Sequence, residues 1–92
     1  LEVRLLVREA RTLKDKRQVV RSILDRLRAQ GSVSAAEVGA LDDHRQVVLG
    51  VAAVGPDPGV VRGVLQPIQE ALRRHPVAEY LGGDLTVGSE VV

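Results

Sequence analysis

The chain has no cysteine, methionine, tryptophan or phenylalanine, and its single aromatic residue is Tyr80. Without thiols there is no disulfide framework, no thiolate nucleophile and no sulfur-ligated metal site, and a reducing cytoplasmic setting is expected. One aromatic excludes the base stacking by which α+β RNA-recognition sheets hold single strands. No apolar run approaches the roughly 18 residues needed to cross a membrane, and Leu1 to Arg8 lacks the layout of a signal peptide, so no membrane contact is expected. Lysine is scarce too: Lys14 and Lys16 stand against eleven arginines, a bias that fits either a GC-rich genome or a thermophile. No internal repeat, low-complexity tract or linker interrupts the 92 residues, which are expected to form one domain, 1–92.

What is present is concentrated in Thr12 to Gln30, TLKDKRQVVRSILDRLRAQ. At about 100° per residue, Leu13, Val19, Val20, Ile23, Leu24 and Leu27 fall within an arc of roughly 140°, the stripe of a helix facing a core. Thr12 followed three residues later by Asp15 is a capping-box start, and Gly31 is a natural stop. Lys14, Arg17, Arg21 and Arg28 cluster within roughly 60° on the same count, beside the apolar stripe rather than opposite it. Lys16 falls on the apolar side of the first turn, where it either snorkels over the core edge, the favoured reading, or lines a site. Asp25 is within pairing distance of both Arg21 and Arg28.

Charge along the chain is lopsided. Residues 1–30 carry nine Lys or Arg against four Asp or Glu, a net of +5, and residues 31–92 carry four against eight, a net of −4. Such a dipole on a chain of net charge +1 points to an anionic partner met at one face. With bases unreadable by stacking, nucleic-acid contact would be directed at phosphates and shape, through Lys14, Lys16, Arg17 and Arg21 with Arg4 and Arg8 in support.

The other elements follow from periodicity. Leu1 to Arg8 alternates as a half-buried strand, Val33 to Ala40 is a weakly patterned strand, and Leu41 to Arg45 is a polar hairpin connection. Gln46 to Val54, QVVLGVAAV, is an unbroken apolar run that reads as a strand covered on both faces. Asp57 and Pro58 supply the N-cap and first-turn proline of a second helix ending near His75, with Val60, Val61, Val64, Leu65, Ile68 and Leu72 as its stripe. Pro67 should kink it, and Glu70 is spaced to pair with Arg74. Tyr80 to Val87 closes the order as an edge strand. Strand, helix, strand, strand, helix, strand predicts an α+β ferredoxin-like βαββαβ sandwich, a four-stranded antiparallel sheet with both helices on one face. A third strand without a polar row then predicts a homodimer, or a higher oligomer, through the open sheet face.

Catalytic signatures are sparse. Glu9 to Thr12, after the first strand, lacks the glycines of an acylphosphatase-like phosphate loop. Asp42, Asp43 and His44 read as a polar turn rather than metal ligands, and His75 as a helix C-terminal residue. No serine sits in a nucleophile motif and no GxxxxGK loop occurs, so no enzyme activity, metal or cofactor is expected.

The segment Glu9 to Arg28, EARTLKDKRQVVRSILDRLR, followed by VSAAEV at Val33 to Val38 and VVLGVAAV at Val47 to Val54, resembles the YlxP-like family of small bacterial proteins of unknown function (domain of unknown function 503). That family shows a Ser-Leu-Lys-Glu-Lys-Arg helix start, a Val-Ala-Glu-Val strand and a Leu-Gly-Val-Ala strand. Its hairpin resembles Asp-Leu-Trp-Gln-Arg, where this chain has Asp42, Asp43, His44, Arg45 and Gln46. The resemblance implies a ferredoxin-like fold, no established enzyme activity and a gene neighbourhood shared with translation-initiation and ribosome-binding factors. The partner it implies is RNA or a ribosomal subunit. Motif match carries over Lys14, Lys16 and Arg17, and the helical count adds Arg21 and Arg28. A dimeric small-ligand regulatory module and a protein-interaction domain stand as alternatives.

Overall fold

The computed structural model describes residues 1–88. The elements are β1 (Glu2–Leu6), α1 (Leu13–Ala29), β2 (Ser34–Gly39), β3 (Gln46–Ala52), α2 (Pro58–Arg73) and β4 (Glu79–Asp84). The strands form one sheet in the order β2-β3-β1-β4, every neighbour antiparallel. This is the expected ferredoxin-like arrangement; β1, β2 and β3 are up to two residues shorter at either end than periodicity suggested, and β4 starts one residue earlier and ends three earlier. Val3 and Leu5 of β1, Val47, Leu49 and Val51 of β3, and Ala35 of β2 are buried against Val20, Ile23, Leu24 and Leu27 of α1 and Leu65, Ile68 and Leu72 of α2.

Both helices begin as their sequences dictate. The Thr12 hydroxyl accepts from Asp15 N at 3.1 Å while the Asp15 carboxylate accepts from Thr12 N at 3.2 Å and Arg11 N at 2.9 Å. Those bonds, that from Arg11 N foremost, hold the Asp15 carboxyl below the usual aspartate range. Gly31, at φ 75, ends α1 in the left-handed region that glycine enters without strain. In α2, Asp57 caps Val60 N at 3.1 Å and Pro58 occupies the first turn.

α2 continues through Pro67 as one helical element. Other expectations are corrected. Val60 of the first turn of α2 is exposed rather than part of the core stripe. Glu70 pairs with Arg73 at 3.3 Å instead of Arg74, because Arg74 is the C-cap, at φ −102 and ψ 7, and no longer follows the helical spiral. Tyr80 lies on the helix side of the sheet, accepting from Gln69 Nε2 at 3.0 Å with the Arg73 guanidinium 4.7 Å from its ring centre. Gly83 makes this possible, since a Cβ there would collide with the Tyr80 hydroxyl.

His75 has a more specific role than its helix-end position suggested. Its Nδ1 accepts from Ala78 N at 2.9 Å and Val77 N at 3.2 Å, tying the end of α2 to the start of β4. Burial, with Arg26 nearby, pushes its pKa below the ordinary histidine value. The folded chain therefore prefers the neutral ring while the unfolded chain takes up a proton below about pH 6.5. This contribution to stability is complete above about pH 6.5 and is lost as pH falls from there through the lowered folded value. Urea midpoints measured between about pH 7 and 5 are expected to fall with acidity in the wild type and to fall less in His75→Asn. The depressed carboxyls, Asp15 and Asp43, act at lower pH.

Candidate nucleic-acid interface

α1 sets the candidate site, since its apolar stripe seats it on the sheet and fixes which flank meets water. Lys14, Arg17 and Arg21 are all exposed on one flank. Seven residues at 1.5 Å rise spread them over about 10 Å of helix axis. Among the described residues none of the three has an ion-pair partner, and Asp25 pairs with neither Arg21 nor Arg28. Arg4 is engaged with Asp84 at 3.2 Å and Glu2 at 3.9 Å, and Arg8 with Glu79 at 2.6 Å, whereas Arg11, Arg26, Arg62 and Arg74, away from this flank, also lack an ion-pair partner among the described residues. Arg4 and Arg8 thus stand apart from the cationic row and carry their own counter-charges.

Two of the five sequence-derived candidates are corrected. Lys16 does not snorkel: it is fully buried. Its Nζ donates to Ala40 O at 2.9 Å and Gln46 O at 3.2 Å and lies 2.9 Å from Glu37 Oε2. Glu37 Oε2 is itself buried with no well-aligned hydrogen bond, so the contact is a close ion pair. No phosphate can reach this ammonium. Lys16 instead clasps the β2–β3 hairpin from beneath, where Ala40 adopts φ 53 and also accepts from Asp43 N at 3.0 Å.

Arg28 is exposed but committed. Its Nη2 and Nε donate to Ala35 O at 2.8 and 3.2 Å. Val51 exchanges both backbone hydrogen bonds with Leu1, at 2.8 and 2.9 Å, so its polar groups point toward β1. Ala35, opposite Val51 in the register, must then point its own carbonyl outward at the free edge of β2. Arg28 covers that edge.

The hairpin is a turn, as its composition suggested. Asp43 Oδ1 accepts from Gln46 N and Arg45 N, both at 2.8 Å, and these bonds depress its carboxyl. Among the described residues no three His, Cys, Asp or Glu gather as metal ligands, and no helix is long and apolar enough to cross a membrane.

Sheet order, helix placement and the bordered cationic flank define a ferredoxin-like α+β domain. Within that class, a family model described as a protein of unknown function (DUF503) matches residues 1–83, and the chain belongs to this family. Comparison with curated proteins gave no match.

Proposed function

We propose that the chain is a non-enzymatic RNA-binding module that grips the phosphates of structured RNA, ribosomal RNA in the first instance, with the exposed flank of α1. The observation that supports this reading is the clustering of unpaired charge. Lys14, Arg17 and Arg21 share one exposed flank of α1 within about 10 Å of helix axis and have no ion-pair partner among the described residues. Like charges three and four residues apart cost an isolated helix a few tenths of a kcal/mol, and a polyanion offsets that cost. Tyr80 is taken up by Gln69 and Arg73, which favours backbone and shape contacts over base stacking.

The test is binding of the purified chain to ribosomal RNA fragments and to small ribosomal subunits across a salt titration. Three phosphate contacts predict that log K falls against log salt with a slope of about −2 to −3. Absence of binding at low salt would remove RNA from consideration and leave the flank as a solvated helix face.

A further inference from the structure

Helices cover one face of the sheet, and the other carries a half that is apolar between polar ends. Ala36 and Val38 of β2 and Val48, Gly50 and Ala52 of β3 make its apolar part, with Ser34 and Gln46 at its ends. Three glycines flatten it. A Cβ on Gly50 would stand 3.0 Å from Val38, one on Gly39 3.3 Å from Val48, and one on Gly82 2.6 Å from the Arg4 guanidinium. Val38, Val48 and Arg4 therefore lie down on the sheet where ordinary side chains would prop them up.

We infer that this face is covered by a second copy of the same chain, because the strand register makes it complementary to itself. Reading across β4, β1, β3 and β2, one row is Asp84, Glu2, Gly50 and Ala36. The next row on the same face is Gly82, Arg4, Val48 and Gly39, with Val38 at the bulge leaning over Gly50. A two-fold axis lying in the interface, perpendicular to the strands and level with Val3 and Leu49, exchanges the two rows. Glu2 then meets the second copy's Arg4, Asp84 meets the guanidinium lying over Gly82, and Val48 meets Gly50. These three oppositions are acid on base or large on small, as an isologous interface requires.

Association through the sheet edge is the competing geometry, and at β2 Arg28 already occupies the outward Ala35 carbonyl. Four strands at about 4.8 Å spacing and about six residues at 3.3 Å rise give a footprint of roughly 19 by 20 Å. At about 400 Å² a side this is roughly half a standard interface, so the dimer is expected to be weak and to dissociate on dilution through the micromolar range. Face-to-face packing puts both copies of α1 on the outside.

Sedimentation of the full chain over a concentration series tests the arrangement, with circular dichroism confirming that each variant is folded. The wild type is expected to dimerise, and Val48→Asp to weaken the dimer by about 100-fold. Glu2→Arg and Arg4→Glu should each weaken it by at least about tenfold, since each sets like charges across the axis. An equimolar mixture of those two variants should recover the dimer, because both cross-axis contacts are again opposite in sign. A wild type that stays monomeric throughout, a dimer that survives Val48→Asp, or a mixture that does not recover would each overturn the inference.

Discussion

Lys16→Met lowers the stability of the folded domain by about 3–5 kcal/mol, the usual cost of removing one member of a buried ion pair. The size follows from what is left behind. Glu37 is left with Oε2 buried and no other aligned partner, and Gln46 O loses a donor. Ala40, at φ 53, loses the ammonium that anchors its carbonyl in a conformation alanine disfavours. Against a total stability of about 5–15 kcal/mol this is a large fraction, and in a domain of this size it lowers Tm by roughly 15–30 °C. Lys16→Met combined with Glu37→Leu should recover much of the loss, because an apolar pair is often as stable as the buried ions it replaces. Urea denaturation of the wild type, both single variants and the double variant measures the coupling directly. A single variant within about 1 kcal/mol of wild type would show that the clasp adds nothing net. At a temperature where it remains folded, Lys16→Met should also leave RNA affinity unchanged, which separates the clasp from the exposed row.

The helical count singles out Lys16, whereas Glu37 lies in a weakly patterned strand that gives it no reading of its own. The helical count places Lys16 amid Val20, Ile23 and Leu27, and the period of two in β2 places Glu37 on the same side as buried Ala35. A cation inside one apolar stripe and an acid on a facing core row are a paired signal, and snorkelling is the answer only when no such acid exists. Arg28 shows a different limit. A helical projection discards position along the axis, so it grouped Arg28 with Arg21, whereas the last turn of α1 lies beside the β2 edge and its outward carbonyl. The helix starts were legible because Thr12, Asp15, Asp57 and Pro58 act on backbone groups within a few residues of themselves.

β3 marks where sequence patterning loses resolution. QVVLGVAA has no polar alternation, and an unbroken apolar run is what a strand buried on both faces would show. In the single chain burial nonetheless alternates: Val47, Leu49 and Val51 are buried, and Gln46, Val48, Gly50 and Ala52 are not. The pattern reports the chemistry of each face, not what covers it. The same register that pairs β3 with β1 and β2 supplies the missing information, since it fixes which open-face residues stand in one row.

Arg17→Glu combined with Arg21→Glu is expected to reduce RNA affinity by at least about 100-fold at low salt while moving Tm by only a few degrees. Reversing two of three phosphate-facing charges removes two attractive contacts and adds two repulsive ones, and the remaining Lys14 cannot compensate. The fold should tolerate it, because neither arginine has an ion-pair partner among the described residues and both side chains are exposed. Surface changes of this kind usually fall within ±0.5 kcal/mol. Replacing Arg17 also turns its like-charge spacing with Lys14, three residues away, into an opposite-charge one, and that between Arg17 and Arg21 becomes acid on acid, so the helix gains and loses in similar measure. Filter binding or fluorescence anisotropy on the same ribosomal RNA fragments, alongside a thermal melt, reads both quantities. Lost binding with an intact melt places recognition on the α1 flank. A collapsed melt assigns the two arginines to the fold instead, and unchanged affinity removes the α1 flank as the site of recognition.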